Sequence, residues 1–259
     1  MKRYVVLLAV LLFSAAATMN ADVMVFDRGL PTSGINAPVS AARSNVAWAD
    51  YTPYDGSNWA IGDDFILGGA GTYDITDLRV WIVGTDSQQP SYMWSDLTLF
   101  GGGTAPGSVN VLSPSSIVVN QVTSPTYTGS SGSTIEIWQV DFLLNWTVTG
   151  GVTNTFFVGG TPTAANIALY GTGVSPFLHA SNAALSGSTQ DGADNLYREI
   201  SYSGLTVSSM DMANSNGNGW DKSSDINVQV FAATPEPSAW VLMGTLLLSL
   251  GFLVRRRYQ

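Results

Sequence analysis

The chain has no cysteine and only one histidine in 259 residues. Without thiols there can be no disulfide, no thiolate nucleophile and no cysteine-ligated zinc or iron–sulfur site. Any histidine-based triad or metal centre would have to use His179. Its setting, Phe177-Leu178-His179-Ala180-Ser181, holds no nucleophile-elbow motif, so it reads as a partly buried imidazole hydrogen-bonded to backbone. Charge is scarce at 11% of residues, and cations are scarcest. Between residues 22 and 233, Arg28, Arg43, Arg79, Arg198 and Lys222 face eighteen acidic residues, and five against eighteen leaves −13. A surface of that sign repels phosphate backbones, which excludes nucleic acid as a partner. No glycine-rich stretch leads into Gly-Lys-Ser/Thr, so no phosphate-binding loop is indicated.

The long apolar runs lie at the two ends. Met1-Lys2-Arg3 precedes an apolar Tyr4–Phe13 and the small residues Ala15-Ala16-Ala17, with a second candidate cut after Ala21. That is the pattern of a secretory signal peptide over residues 1–21, and it implies export. At the other end stand Pro235-Glu236-Pro237, an apolar Ala239–Val254 and Arg255-Arg256-Arg257. Sixteen residues at about 1.5 Å each reach roughly 24 Å, short of a ~30 Å hydrocarbon core. The basic cluster acts as a stop-transfer signal that keeps this end cytoplasmic, with the preceding chain on the far side.

This three-part tail, residues 234–259, closely resembles the PEP-CTERM sorting signal of Gram-negative bacteria. The resemblance implies recognition by an exosortase, a membrane-embedded transpeptidase, and a host that makes exopolysaccharide. It further implies a protein held in the membrane by its C-terminal helix until processing, then placed at the cell surface or in the extracellular matrix. Parts of the body, Val25–Asp50, Gly62–Gly84, Phe177–Glu199 and Trp220–Phe231, resemble other PEP-CTERM proteins of β-rich type. That likeness carries no established activity.

Residues 22–233 suit one domain. Short alternating runs recur at Val23–Phe26, Asp64–Leu67, Asp77–Gly84, Asp96–Phe100, Ser116–Val122, Thr134–Leu144, Thr155–Val158, Asn166–Tyr170, Tyr197–Tyr202 and Ile226–Phe231. Breaks are expected at Gly68-Gly69, Gly101–Gly103, Ser130–Ser133, Gly150-Gly151 and Gly159-Gly160. Many short strands with no 3.6-residue pattern between them predict an all-β fold, an antiparallel β-sandwich or jelly roll. The one helix expected spans Val39 to Ala49, which reads equally as a loop.

Three kinds of site can be sought. Trp48, Tyr51, Tyr54 and Trp59 crowd into a polar stretch with Asp50, Asp55 and Asn58, and Tyr92, Trp94 and Asp96 repeat the mixture. Flat rings beside amide and carboxylate acceptors suit the apolar faces and hydroxyls of a glycan, and they equally suit the closing of a sandwich end. Trp81, Trp138 and Trp220, in or beside strands, read as packing residues. Asn214, Asn216, Asn218 and Asp225 have the spacing of a calcium loop around Gly217 and Gly219, although Asn214 replaces the usual Asp and Lys222 intrudes. The same residues read as an Asn-Gly hairpin turn, and the acidic turn Asp191–Asn195 has the same two readings. Glycoside hydrolysis would need two facing carboxylates; Asp63 with Asp64, Glu136 with Asp141, and Asp194 with Glu199 are pairs any acidic surface offers. No catalytic residue is assigned, and a non-enzymatic role is expected.

Overall fold

In a computed structural model of the protein, the residues that can be described are 22–30, 44–47, 58–84, 89–128, 134–182, 197–212 and 224–233. The signal-peptide segment and the sorting tail lie outside them. Contacts divide the chain into two units, Met24–Ala232 and the two ends, Met1–Val23 with Ala233–Gln259. The description below is of the first unit and the strand residues at its borders.

Fourteen strands run along the described residues: β1 (Asp22–Arg28), β2 (Ser44–Ala47), β3 (Asn58–Ile66), β4 (Thr72–Gly84), β5 (Trp94–Gly102), β6 (Val109–Leu112) and β7 (Ser116–Thr128), then β8 (Thr134–Thr149), β9 (Thr153–Pro162), β10 (Leu178–Asn182), β11 (Arg198–Ser203), β12 (Thr206–Met212), β13 (Ser224–Ile226) and β14 (Val228–Ala233). Two short helices, α1 (Pro90–Met93) and α2 (Ala164–Tyr170), and a 3₁₀ turn at Pro106–Ser108 interrupt them. The fold is all-β, and its sheets are antiparallel.

The eight-stranded sheet is built on β4. One edge of β4 pairs with β8 along its whole length, and β8 pairs in turn with β7. The other edge takes β14 from Ile75 to Val80 and β10 at Ile82. β1 lies beside β14, while β2 and β13 pair with β10. The six-stranded sheet runs β12-β11-β3-β9-β5-β6.

The alternation in Asp77–Gly84 does what its period implies. Leu78, Val80 and Ile82 project to one face and are fully buried, opposite Phe142, Val140 and Trp138 of β8. They join Ile61 and Phe65 of β3, and Phe156 and Val158 of β9, in one core that draws on both sheets. Phe65 sets the contact, with its ring 5.7 Å from Phe26, 5.9 Å from Trp146 and 6.4 Å from Phe156. Burying each such ring is worth roughly 2–3 kcal/mol.

The six-stranded sheet has apolar residues on its second face too. Ala60, Phe100, Phe157, Ile200 and Tyr202 form a separate small core there, with Val207 and Met210 of β12 and Val109 and Val111 of β6 packed on it. The sheet curls around this core far enough that β12 meets β6 and the 3₁₀ turn. Glycine permits the curl. A Cβ on Gly62 would lie 1.7 Å from the Phe156 carbonyl oxygen, and one on Gly159 would lie 2.6 Å from the Tyr202 hydroxyl.

Several local expectations are corrected. Asn166–Tyr170 is helix rather than strand, because Thr163 caps it by accepting from the Asn166 N–H (3.3 Å) and Gly171 ends it at φ 80°. Of the expected Val39–Ala49 helix, Ser44–Ala47 is strand β2, paired with Leu178–Ser181; tertiary pairing overrides its alanine content. Gly101 and Gly102 are the last residues of β5, so the expected break falls at Gly103, whereas Gly159-Gly160 lie within β9 as points of close approach and not a break. Gly68-Gly69 and Gly150-Gly151 do interrupt strands. Ser130–Ser133 lies outside the described residues. Strands β6, β10 and β12, whose runs are short or polar, were not anticipated.

Candidate functional site

A buried ionic cluster ties β1, β3, β11 and β13 together. Arg28 is fully buried at the end of β1; its Nε donates to the Ile226 carbonyl (2.7 Å) and its Nη2 to the Asp64 carbonyl (3.0 Å). The same guanidinium pairs with Asp63 Oδ2 at 3.2 Å and with Asp225 Oδ2 at 3.4 Å. Asp63 also accepts the Asp64 N–H at 2.7 Å and the Ile226 N–H at 2.6 Å. Next door, Arg198 Nη2 and Nε both reach Asp64 Oδ2, at 2.9 and 3.3 Å. Glu199 follows Arg198 on β11, also buried. Burial raises the Asp63 pKa well above the usual aspartate value, against the opposing pull of Arg28 and the two backbone N–H groups. Burial, with Glu199 adding to it, pushes the Tyr197 hydroxyl up to about 12.

This cluster cannot meet a substrate as it stands, because Arg28, Asp63 and Asp225 are closed to solvent. What it does is couple the sheets: β1 and β13 belong to the eight-stranded sheet, β3 and β11 to the six-stranded one. Each aspartate is held by a cation or by backbone N–H groups, which is the condition under which buried charge is tolerated.

His179 is fully buried, and its partner is a side chain rather than the backbone expected from sequence. Asn227 donates through Nδ2 to the Gly29 carbonyl (2.8 Å) and to Ser181 Oγ (3.1 Å). That leaves Asn227 Oδ1 facing His179 Nδ1 at 2.7 Å, so Nδ1 carries the proton. The ring sits edge-on to Tyr127, with centroids 5.8 Å apart. Desolvation lowers the His179 pKa to about 4, with the Asn227 hydrogen bond opposing, so the ring is neutral at physiological pH.

The remaining candidates are dispersed. Trp48, Tyr51 and Tyr54 lie outside the described residues. Trp59 is half-buried at the start of β3 against the main core, and its Nε1 has no hydrogen-bond partner among the described residues. Trp94 is a core residue, donating through Nε1 to the Val174 carbonyl at 2.9 Å and meeting Phe177 edge-on. Tyr92, by contrast, is 52% exposed, and Tyr170 on α2 is also exposed. Asp96 is engaged by the Thr161 N–H and hydroxyl, both at 3.1 Å. Trp81 and Trp138 pack as expected, and Trp220 lies outside the described residues.

Asn214, Asn216 and Asn218 also lie outside the described residues, while Asp225 is in the ionic cluster, its carboxylate shared with Arg28. Among the described residues no three His, Asp or Glu side chains gather in metal-binding geometry. Register places the connections all the same. Asn182 opposes Ser224, and Arg198 opposes Met212, so the segments after β10 and after β12 leave from the same end of their strands. Ala47 opposes Leu178 and Asn58 opposes Tyr202, so the aromatic segment between β2 and β3 leaves from the other end.

Of the carboxylate pairs, Asp63 and Asp64 are occupied by arginines. Asp141 binds Arg79, while Glu136 stands five residues away on the opposite face of the same strand. Asp194 lies outside the described residues. Sequence reasoning missed a polar ladder on the face of the large sheet opposite Leu78 and Val80. There Gln229 Nε2 donates to Asp27 (2.9 Å), Arg79 donates to Gln229 Oε1 (3.2 Å) and to Asp141 (2.5 Å), and Gln139 donates to Asp141 (2.8 Å). Its signal was the polar half of the alternation in β4, β8 and β14. No protein-family model, curated protein or solved structure matches this chain.

Proposed function

We propose that the protein is an exported, non-catalytic surface protein, a β-sandwich delivered by an exosortase and acting structurally or adhesively within or against exopolysaccharide. One observation carries the reading: Pro235-Glu236-Pro237, the apolar Ala239–Val254 and Arg255–Arg257 stand in the order that a sorting signal requires. A signal peptide over residues 1–21 at the other end agrees with it. The fold is compatible with the role. Its core needs no disulfide, and its buried Asp63, Asp64 and Asp225 are held by arginines.

The test is the intact mass of the protein recovered from its native host, with the cell fraction it came from. A product that ends near Pro237 and lies at the surface or in the matrix is expected. A membrane-bound product that keeps Arg255–Arg257 would make the tail a plain single-pass anchor and remove the link to exopolysaccharide.

A carbohydrate-binding module is the second reading, favoured by the aromatic segment Trp48–Trp59 and by the exposed Tyr92. Loss of retention on polysaccharide affinity gels in Trp48→Ala and Trp59→Ala would support it, and unchanged retention would remove that site. A matrix glycan hydrolase is a weaker third reading, and turnover of any polysaccharide by the purified protein would revive it. Calcium at Asn214, Asn216, Asn218 and Asp225 requires that added calcium raise the melting temperature; an unchanged value returns these residues to a hairpin turn.

A further inference from the structure

The outer strand of the large sheet has unusual chemistry. Among the described residues β7 pairs with β8 alone, so its other edge presents free backbone N–H and C=O groups. From Ser116 to Gln121 every residue is exposed. Ile117, Val118 and Val119 are 38%, 38% and 40% exposed, and because they alternate they leave apolar surface on both faces of the strand. Leu143, opposite Ser116 on β8, extends it.

The devices that normally blunt a sheet edge are charge, proline, bulges and cover. Between Ser116 and Val122 there is no charge and no proline, and the register with β8 is unbroken until after Val122. The contrast with other edges is clear. β1 carries Asp22, Asp27 and Arg28, β13 is buried, and β6 and β12 meet each other.

We propose that β7 is a self-association edge: a second copy of this chain adds antiparallel to Ser116–Val122 and joins two eight-stranded sheets into one. The chemistry of the edge selects the occupant. Free strand groups at ladder spacing call for another extended strand. The chain is acidic, so two copies repel across most of their surface, yet from Leu97 to Ile135 it holds no charged residue over 39 positions. The one carboxylate across from Ser116–Val122 on β8, Asp141 opposite Val118, is already held by Arg79, so a basic partner finds no free anion there and a second copy meets no charge on the facing strand.

The sequence of the strand is also compatible with its own reverse. A two-fold axis at Val119 sets Val119 against itself, Val118 against Asn120, Ile117 against Gln121 and Ser116 against Val122. Both copies then place Ile117 and Val119 on one face, and the interface is isologous, as closed dimers require. A seven-residue pairing falls at the small end of specific interfaces, below about 1,200 Å². Association is therefore weak in dilute solution and grows where copies are crowded. The inference rests on the fold and not on the sorting signal.

The absence of cysteine provides a direct test. Single substitutions Ile117→Cys, Val119→Cys, Gln121→Cys and, as a control on an exposed turn, Leu205→Cys are made in the full chain held in mild detergent and oxidised. A disulfide-linked dimer that is strongest for Val119→Cys is expected, since only there do the two sulfurs face each other. Equal cross-linking at all four positions would show random collision and overturn the proposal. Sedimentation from about 5 to 500 µM should show a dimer in the original chain, weakened at least about ten-fold by Val119→Lys, which sets two ammonium groups directly opposite. Melting temperatures of both variants close to that of the original chain confirm that the fold is intact. A chain that stays monomeric throughout this range, or a dimer indifferent to Val119→Lys, overturns the proposal.

Discussion

The two sheets handle the same problem, the exposed edge of an antiparallel sheet, in opposite ways. The six-stranded sheet curls until β12 meets β6, with Phe100, Phe157, Ile200 and Tyr202 packed inside the curl. The eight-stranded sheet stays open, and β7 stands exposed along Ser116–Gln121. Curling needs backbones to approach more closely than side chains allow, which is why glycine recurs along β3, β5 and β9. β7 and β8 have no glycine within their strands and cannot follow. Close approach thus decides which edges are removed, and the β7 edge is left open to be used.

The largest effect should come from preventing the curl. Gly62→Val would drive a side chain into the Phe156 carbonyl, in a place where neighbouring backbone cannot give way. A loss above about 4 kcal/mol is expected, enough to prevent folding. A soluble variant with a melting temperature near that of the parent would show that the sheet does not curl as described.

Next comes the clamp between the sheets. Arg28→Met leaves Asp63 and Asp225 buried without their shared cation and should cost about 3–5 kcal/mol. Adding Asp63→Asn to Arg28→Met should recover part of that loss. If chemical denaturation shows the single variant within 1 kcal/mol of the parent, roughly the size of a surface pair, the cluster is not a clamp.

His179 supplies a pH-dependent contribution. Its folded pKa of about 4 lies below the usual 6.5, so the unfolded chain takes up the proton first as pH falls. The stability tied to the neutral ring is therefore full above about 6.5 and is lost on acidification through about 4, by on the order of 3 kcal/mol. Asp63 acts in the opposite sense, since its raised pKa lets the folded state hold a proton at a higher pH. His179→Gln isolates the imidazole: the stability gap between parent and variant should narrow as pH drops from 7 to 4. A gap independent of pH would contradict the neutral buried ring.

The smallest effect on stability is expected at the open edge. Val119→Lys, on an exposed strand, should change unfolding free energy by no more than about 0.5 kcal/mol while weakening association. The two sheets would then differ as the comparison requires, one intolerant of change and the other tolerant of it.

Much of the strand pattern was legible in the chain. Asp77–Gly84 and Thr134–Leu144 alternate because the pleat sends neighbouring residues to opposite faces, a property that a short window reveals. Asn166–Tyr170 misled because its apolar run is compatible with either period, and the deciding cap and stop, Thr163 and Gly171, lie outside it. Gly159-Gly160 misled for a different reason: whether a glycine turns the chain or lets a neighbour approach depends on what stands across from it. The aspartates of Asp63-Asp64 were visible, but Arg28 donates to the Ile226 carbonyl 198 residues away, and no spacing rule connects such positions.

The amino-acid sequence by itself determined the all-β antiparallel character, because a two-residue period and glycine turns are local, and it excluded thiol chemistry outright by holding no thiol. Only the tertiary structure decided which aspartates are buried on arginine, which face receives His179 and which edge stays open. Those outcomes depend on strands distant in sequence meeting in one register, and the free energy of that meeting belongs to the assembled pair rather than to either segment.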